Sequence, residues 1–579
     1  QVCQILLGSR SNMTSASEQV HKKTDGDEAA AKGGPRPGDV LHQASHGPLE
    51  WMRNLERDFG YKMLCFLFCT QHLGKGFIRM FQVTADNYIY ALYGLNASAM
   101  QIFTGVTQLP WAMKPFIGLL SDVCPIVGYS KAPYIIIFSM TGVGAMFVAG
   151  VVQTAYLPVV CFVICSFTAQ FQLSTNDLLS EAKYAEKINE NPASGPNILT
   201  FVWFFMVVCE LVAVFSVGAV ITYCGPKLVY VICAVLGAVV IVPVGMGYTE
   251  EAKMTRADVE RKRQKFVAQW EVCFLCVALF TGTVVLTIVA LTYDSVAVNF
   301  WTAVSVATAM ICIFSFFLSP TLAKFNAFSL VQTSLSLSTS SAGYYFFIDL
   351  PDAYPKGPHF SPFFYSSVLT GVGGVCSLIG IVTYQRYLSS WSYRNLLQFA
   401  NVVYSVLSLL DCIIYSRVNV SLGIPDHIFC LSTTVLSSTV YQWYWMPQVV
   451  ILAQLCPKGM EATLYALLAG CHNLGSSISS NAGAYVLQLF GCEPSGAIGE
   501  SAQFANLWKV SAIAVFLPFV SVVLSFYLIP NGSQTEAVVV GDEAEDATAG
   551  SVCARWWRKG TKLSQGTSYD TFKFDGQIA

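Results

Sequence analysis

Long apolar runs alternate with short polar segments along most of the chain. The run VYVICAVLGAVVIVPVGM, at 229–246, contains no charged side chain. Runs of about 18 or more residues with few charges are typical of membrane-spanning helices. The pattern therefore predicts an all-α, polytopic membrane protein with about 14 transmembrane helices. They lie near 62–92, 98–121, 132–153, 156–180, 197–222 and 226–248, then near 271–293 and 296–319, then near 326–350, 362–384, 396–416, 427–453, 461–490 and 504–529.

The predicted helices form groups of six, two and six. The motif GLLSD at 118–122 follows the second run of the first group, and GIVTY at 380–384 follows the second run of the last group. Halves that repeat across a central loop favour a transporter of two bundles that rock around a central site. We predict a disordered cytoplasmic tail at 1–60, an N-terminal six-helix bundle at 61–248, a basic cytoplasmic loop at 249–270, an inserted transmembrane hairpin at 271–319, a C-terminal six-helix bundle at 320–530 and a cytoplasmic tail at 531–579.

Lysine and arginine accumulate in the loops on one side of this arrangement. The central loop, TEEAKMTRADVERKRQKFVAQ at 249–269, is rich in both. Cytoplasmic loops of membrane proteins carry an excess of these residues, so we expect this loop and both termini to be cytoplasmic. The N-x-S/T sequons at Asn96 and Asn419 then fall in outer loops and are candidate glycosylation sites.

Composition and charge exclude several classes of protein. The chain is 54% hydrophobic and only 12% charged, with a formal net charge of -2 at pH 7. A soluble protein carries roughly twice that charged fraction, and a nucleic-acid-binding domain is usually basic. The sequence contains no HExxH, GxxxxGK[ST] or GxSxG motif, so it predicts neither an enzyme nor an ATP-driven pump. We expect no cofactor, no metal and no nucleic-acid partner.

The first predicted helix is rich in polar side chains, in the stretch QHLGKGFIRMFQVTADNY. The spacing of His72, Lys75, Arg79, Gln82 and Asp86 follows the helical period, so we expect all five on one face. A charge at the bilayer centre costs about 2.5–3.5 kcal/mol, so such residues are functional candidates. Either they line a water-filled cavity that accepts an anionic substrate, or they form internal ion pairs such as Arg79 with Asp86.

Three carboxylates lie in or near the fourth and fifth predicted helices. Asp177 and Glu181 share one helix face, and Glu210 lies in the apolar stretch MVVCELVAVF. We expect Asp177 to pair with Lys114 or Lys75, or to titrate with protons. Glu181 is a solvated or gating carboxylate near the cytoplasmic end. Glu210 has no local partner in the sequence and is a candidate for proton coupling, whereas Lys114 either pairs with an inner acid or binds the substrate.

The later predicted helices are polar without being charged. His472 and Asn473, in AGCHNLGSSISSNAGA, are candidate substrate ligands. The stretch STVYQWYWMPQ at 438–448 supplies several aromatic rings. These rings could stack on a flat heteroaromatic ligand or form a belt at the membrane interface, and both interpretations remain open.

Three stretches resemble a known family. PWAMKPFIGLLSDVCPIVGYSKAPY, NDLLSEAKYAE and LCPKGMEATLYALLAGCHNLGSSIS are similar to signatures of the folate–biopterin transporter family, within the major facilitator superfamily. The resemblance covers about 60–530 of the chain, and the long tails and extra helices are similar to those of kinetoplastid pteridine and folate transporters. It implies import of folate or biopterin across the plasma membrane by alternating access, coupled to protons.

The resemblance also implies a cytoplasmic gate. Gly118 and Asp122 match the loop motif in which an acid locks the two bundles together, and Lys131 is what remains of the basic cluster that usually follows. Two alternatives stay open. The chain could carry another metabolite such as the cation S-adenosylmethionine, for which Asp177 and Glu210 would be the better ligands. It could also be a membrane receptor or sensor that transports nothing.

Overall fold

The computed structural model describes residues 48–191, 194–456, 461–530, 532–534 and 546–556. Most of these residues are helical. Among those residues, extended pairing is limited to two isolated bridges. Backbone groups inside a bilayer must find partners within their own segment, and helices meet this condition. The prediction of an all-α membrane protein is confirmed for the described residues.

The N-terminal bundle contains six membrane helices and is preceded by a short amphipathic helix. Leu55 and Phe59 of the short helix share an apolar cluster with Met63, Tyr134 and Phe201 of the bundle. This helix falls in the segment that we predicted as a disordered tail, so ordered structure begins earlier than expected. The helices are α1 at Pro48–Phe59; α2 at Tyr61–Leu67, Phe68–Ile78 and Arg79–Leu92; α3 at Ala97–Gln108, Leu109–Trp111 and Lys114–Val123; α4 at Ala132–Val151; α5 at Val159–Glu190; α6 at Gly195–Cys224; and α7 at Pro226–Ala238 and Ile241–Gly245.

A basic helix and a helical hairpin follow the first bundle. The basic helix begins with a capping box, in which Asp258 N donates to Thr255 Oγ1 at 3.2 Å and Thr255 N donates to Asp258 Oδ2 at 3.0 Å. The predicted basic loop is therefore helical over much of its length. The three helices are α8 at Arg256–Ala268, α9 at Trp270–Thr292 and α10 at Val296–Phe317.

The C-terminal bundle also contains six membrane helices, two of which are irregular. One is interrupted between Leu335 and Ser340, and another begins and ends with π-helical turns. The helices are α11 at Pro320–Leu335 and Ser340–Ile348; α12 at Phe363–Leu369, Thr370–Thr383 and Tyr384–Leu388; α13 at Tyr393–Tyr415; α14 at Asp426–Gln454; α15 at Glu461–Leu489; and α16 at Leu507–Leu528.

The inserted hairpin, α9 and α10, contacts both bundles. Phe116 of α3 stacks on Phe280 of α9 with ring centroids 4.1 Å apart. On the other side, Phe300 of α10 stacks on Tyr485 of α15 with centroids 4.5 Å apart. The hairpin therefore packs across the junction of the N-terminal and C-terminal bundles rather than standing apart from them.

Apolarity separates the membrane helices into two sets. In the described residues, nine helical segments are long and apolar enough to cross a membrane, and these include α4 to α7 and both helices of the hairpin. The other five predicted spans correspond to α2, α3, α11, α14 and α15, which are interrupted or carry more polar side chains. A helix that lines a polar interior does not need to be apolar on every face. These five less apolar helices are therefore the ones that we expect to line a central cavity.

Two prolines explain the break in α3. The helix ends at Gln108, passes through a 3-10 turn that contains Pro110, and restarts at Lys114. Pro115 fits the first turn of the new helix, because the N–H that proline lacks would be unpaired there in any residue. Lys114 therefore lies at a helix start inside the membrane segment.

The described parts of the C-terminal tail pack on one end of the C-terminal bundle. In the predicted orientation, this end is cytoplasmic. Tyr393 N donates to Gly532 O at 3.0 Å, and Ser319 N donates to Ala547 O at 2.8 Å. The remainder of the tail predicted at 531–579 lies outside the described residues.

Candidate functional site

A buried carboxylate lies between two lysines in the N-terminal bundle. Asp177 of α5 is fully buried, and its Oδ1 atom is 2.9 Å from Lys75 Nζ of α2. Its Oδ2 atom forms an ion pair with Lys114, at the restart of α3. Gln71 Nε2 donates to Asp177 Oδ1 at 2.9 Å. Both oxygens therefore have charged partners, as a buried carboxylate requires.

Glu181, one helical turn after Asp177, completes the cluster. Its carboxylate oxygens lie 3.3 Å from Lys75 Nζ and 3.9 Å from Lys114 Nζ, and its side chain is 31% exposed. Two lysines thus face two carboxylates, and the formal charges of this ion-pair cluster cancel. The cluster, defined by Lys75, Lys114, Asp177 and Glu181, therefore carries no formal net charge.

Arg79 lies beside this cluster without joining it. Its guanidinium carbon is 4.9 Å from the ring centroid of Trp111, which also lies 4.9 Å from Lys114 Nζ. The buried Arg79 Nε atom has no hydrogen-bond partner among the described residues. Glu210 of α6 interacts electrostatically with Arg79, but no carboxylate of the described chain comes within 4.0 Å of the guanidinium. The guanidinium of Arg79 therefore contacts an aromatic ring and forms no ion pair within the described residues.

Trp111 links the two bundles. Its Nε1 atom donates to Gln170 Oε1 at 3.0 Å, and its carbonyl oxygen accepts from Asn473 Nδ2 of α15 at 3.2 Å. We did not single out Trp111 from the sequence. The available signal was its place one residue after Pro110, in a membrane helix that proline must interrupt.

Asp86 belongs to a hydrogen-bonded network with α5 and α7. Its carboxylate accepts hydrogen bonds from Tyr230 of α7 and from Ser166 of α5, the latter at 3.2 Å. Gln82 Nε2 donates to the same Tyr230 hydroxyl at 3.1 Å. The alternative Arg79–Asp86 ion pair is not present among the described contacts. Gln82 and Asp86 thus face α5 and α7.

His72 lies among aromatic rings rather than beside the lysines. Its ring centroid is 4.7 Å from that of Phe201 and 5.6 Å from that of Phe205, and the side chain is buried. The single polar stripe expected in α2 is divided because Phe68–Ile78 is π-helical. A π-helical turn contains more residues than an α-helical turn, so the side chains rotate to other faces.

His472 of α15 is surrounded by polar partners of its own bundle. Its Nδ1 atom is 2.9 Å from Thr333 Oγ1 and 3.2 Å from Ser329 Oγ, both on α11. The ring of Trp445, on α14, lies 4.7 Å from the ring of His472. Asn473 points to Trp111 instead. The two neighbouring candidates therefore face different parts of the junction between the bundles.

Among the residues of the gating motif, Asp122 contacts the segment that connects the bundles, whereas Lys131 and Gly118 contact α5. Asp122 Oδ1 is 2.7 Å from Lys262 Nζ of α8, with both side chains 38% exposed. Lys131 forms an ion pair with Glu186 of α5. Gly118 faces Leu178, with room for ordinary contact. Asp122 thus forms an ion pair with the basic helix α8. The sequence motif alone does not identify this partner.

The two sequons differ in exposure. Asn419 is fully buried, and its Nδ2 atom donates to Asp426 Oδ1 at 2.7 Å. Asn96 is partly exposed, caps α3 by accepting from Ala99 N at 2.9 Å, and donates to Glu493 at 3.5 Å. Attachment of a glycan would therefore require the loss of more protein contacts at Asn419 than at Asn96.

The bundles meet closely at the end that we predict to be the outside. Gln101 of α3 donates to Ser338 Oγ at 2.8 Å, and Gln101 Oε1 accepts from Ser341 N at 3.0 Å. Tyr88 and Ser366 also share a hydrogen bond of 2.7 Å between the bundles. These contacts join the N-terminal and C-terminal bundles at this end.

Comparisons with known proteins agree with this architecture. A model of the BT1 family matches residues 75–548. The chain is 24% identical over 496 residues to "Probable folate-biopterin transporter 6" of Arabidopsis thaliana, covering 86% of this chain and 88% of the relative. It is also 24% identical over 437 residues to the "Folate-biopterin transporter" of Synechocystis sp., covering 75% of each.

A solved structure shares the fold. The crystal structure of peptide transporter POT in complex with sulfate aligns with a TM-score of 0.56 over 82% of this chain and 97% of that chain, at 13% identity. The predicted fold class is therefore confirmed. These relatives are transporters rather than enzymes.

Proposed function

The chain belongs to the BT1 family of folate–biopterin transporters, and from that premise we propose that it imports folate or biopterin across the plasma membrane by alternating access. The chain is a multi-pass membrane protein with the fold of a transporter. The choice of substrate, the cellular membrane, cytoplasmic termini and coupling to protons are the proposed parts.

The main support for the proposal is the guanidinium of Arg79, which forms no ion pair within the described residues. Lys75 and Lys114 are neutralised within the ion-pair cluster, whereas Arg79 contacts the ring of Trp111 and no carboxylate within ion-pair distance in the described residues. A guanidinium can bind a carboxylate through two parallel hydrogen bonds. Folate has carboxylates in its glutamate tail, so we assign Arg79 to that tail.

The opposite bundle offers flat rings for the pterin. Tyr444 stacks on Tyr404 with centroids 5.8 Å apart, and Tyr441 lies 6.0 Å from Tyr444. Trp445 and His472 form a further ring pair on α14 and α15. Aromatic side chains favour stacked or edge-to-face contact with a flat heteroaromatic ring. This pattern supports binding of the pterin end against α14 and α15, near the point where Asn473 reaches Trp111.

The same contacts disfavour a cationic substrate such as S-adenosylmethionine. Asp177 already faces both lysines and would have to give up one of them to bind a second cation. Breaking a buried ion pair by removing one partner costs about 3–5 kcal/mol. An anion at Arg79 requires no such exchange.

Coupling to protons is best explained by Glu210. It interacts electrostatically with Arg79 and also with Lys75, without reaching ion-pair distance of either in the described chain. A substrate carboxylate bound to Arg79 would compete with Glu210 for the same positive charge. Glu210 would then accept a proton, because an unpaired carboxylate in an apolar setting favours its neutral form. Substrate and proton would therefore bind together.

We expect Glu210→Gln to uncouple transport without abolishing it. In reconstituted vesicles, the variant should exchange labelled for unlabelled folate but fail to accumulate folate in response to a pH gradient. A gradient of one pH unit is worth about 1.4 kcal/mol per proton, or roughly tenfold accumulation. Glu190→Gln, at a side chain that is 63% exposed, is the matched control and should behave as wild type. Gradient-driven accumulation by Glu210→Gln would exclude this role.

The Asp122–Lys262 pair gives a second expectation, for the cytoplasmic gate. Exposed ion pairs contribute about 0–1 kcal/mol, so Asp122→Lys or Lys262→Asp should slow folate exchange by no more than roughly tenfold and leave binding intact. The double reversal, Asp122→Lys with Lys262→Asp, restores opposite charges and should recover most of the rate. The check is the exchange rate in vesicles with equal protein. A double variant slower than both single variants would exclude a direct pairing role.

A further inference from the structure

An outer loop of the C-terminal bundle connects the two halves. The segment between α15 and α16 contacts the start of α3, where Ala97 N donates to Pro494 O at 2.8 Å and Asn96 Nδ2 donates to Glu493 Oε1 at 3.5 Å. Beside it, Tyr345 of α11 donates its hydroxyl to Leu95 O at 2.5 Å. These contacts, from residues 95–97 to α11 and 493–496, form the outer gate.

Asp349 is buried directly behind this gate. It follows the last residue of α11, its side chain is 7% exposed, and its Oδ2 atom accepts no hydrogen bond from the described residues. A Cβ atom on Gly496 would lie 3.6 Å from Asp349 Oδ1 and 3.5 Å from Tyr345 Cε1. Asp349 therefore packs against the same loop and the same tyrosine that join the two bundles.

The groups around Asp349 provide no positive charge in the described chain. Glu500 follows the loop residues, its carboxylate accepts from Ser495 N at 2.7 Å and from Gly496 N at 3.0 Å, and its charge repels that of Asp349. Tyr344 and Tyr345 face it from α11. His359 donates from Nδ1 to the Asp349 carbonyl oxygen at 2.6 Å and does not reach the carboxylate. A charged Asp349 thus lacks compensation when the gate is closed.

We propose that Asp349 is a proton-binding site of the outer gate, and that a proton taken from the external water holds the gate closed. The proposal rests on the proposed alternating-access function and on the predicted orientation. The proton binds at Oδ2 and returns to the outside when the gate opens. It is distinct from the proton assigned to Glu210, because it regulates the gate and does not cross the membrane.

The direction of the pH effect follows from burial and charge. Burial first, and then the negative charge of Glu500, raise the pKa of Asp349 from 3.8 to about 7 in the closed gate. Opening the gate would let water reach the carboxyl group and return its pKa towards the ordinary value. The closed gate therefore binds a proton between about pH 4 and 7 that the open gate does not, and it gains stability as the pH falls through this window. Above about pH 7 both states are deprotonated and the dependence ends.

The test measures the gate itself, in the full chain without substrate. Spin labels at Leu92→Cys and Ile498→Cys, both exposed positions on opposite bundles, report the distance across the outer end in a cysteine-depleted background. We expect the ratio of short to long distances to rise as the pH falls from 7 to 5, by up to about tenfold per pH unit. In Asp349→Asn the ratio should stay high and constant across this range.

Three further variants make the result specific. Asp352→Asn removes an exposed carboxyl group from the connection between α11 and α12, close to Asp349 in sequence, and should respond as wild type. Glu500→Gln removes the repulsion and should shift the response to lower pH. A wild-type response in Asp349→Asn, or a response that disappears in His359→Gln instead, would overturn the proposal. Because no substrate is present, a wild-type protein without a pH response would contradict the gate site, whereas failure to transport folate would contradict the proposed function.

Discussion

Arg79→Lys should lower folate uptake by roughly ten- to a hundredfold while affecting biopterin uptake much less. The substitution keeps the charge but removes the paired donors, and charge-assisted hydrogen bonds are worth about 1.5–3 kcal/mol each. Biopterin has no glutamate carboxylates, so it does not use this contact. The measurement is the ratio of folate to biopterin uptake at equal surface expression.

Two comparisons make the Arg79 result decisive. Arg261→Lys changes a side chain that is 72% exposed on α8 and should leave the ratio unchanged. Arg79 and Asp86 are not paired in the structure, so Asp86→Asn should not reproduce a change that is selective for folate. An unchanged folate-to-biopterin ratio in Arg79→Lys would exclude Arg79 as the site of the glutamate tail.

Asp177→Asn should abolish uptake of both substrates. After the substitution, Glu181 is the one carboxylate of the ion-pair cluster that still faces Lys75 and Lys114. Loss of one partner from a buried ion pair costs about 3–5 kcal/mol, because a charge is left without compensation. We expect a lower unfolding temperature of the purified protein together with the loss of transport. The readouts are uptake of folate and biopterin and thermal unfolding in detergent.

A second substitution tests whether charge balance is the cause. Asp177→Asn with Lys114→Gln restores a one-to-one pairing of Lys75 with Glu181, which lie 3.3 Å apart. The double variant should unfold at a higher temperature than Asp177→Asn alone. Glu181→Gln, at the more exposed carboxylate, should have a smaller effect on stability than Asp177→Asn. If the double variant is no more stable than the single one, the loss has another origin.

The sequence was sufficient to predict the membrane helices and which of them carry polar side chains. Apolar runs identify spans such as α4 and α6 because a bilayer excludes unpaired polar groups. The expectation that Asp177 lies near Lys75 or Lys114 also came from sequence, since a buried carboxylate needs a cation. The structure places Asp177 between both lysines.

Other features of the candidate site could not be predicted from the helical spacing of polar residues. The π-helical stretch Phe68–Ile78 separates His72 from Lys75, although their spacing fits one α-helical face. Lys262 reaches Asp122 across 140 positions of the chain, so no local pattern identifies the pair. The role of Trp111 depends on Asn473 in the other bundle. These features are set by tertiary packing, not by local spacing.

Counterflow in vesicles that contain the purified full chain tests the central claim most directly. Separate batches of vesicles are loaded with unlabelled folate, biopterin or S-adenosylmethionine, and each batch is tested for uptake of the labelled form of its own compound without a pH gradient. The account predicts rapid counterflow of folate, competed by biopterin, and none of S-adenosylmethionine. Counterflow of S-adenosylmethionine without folate, or of none of the three compounds, would contradict it.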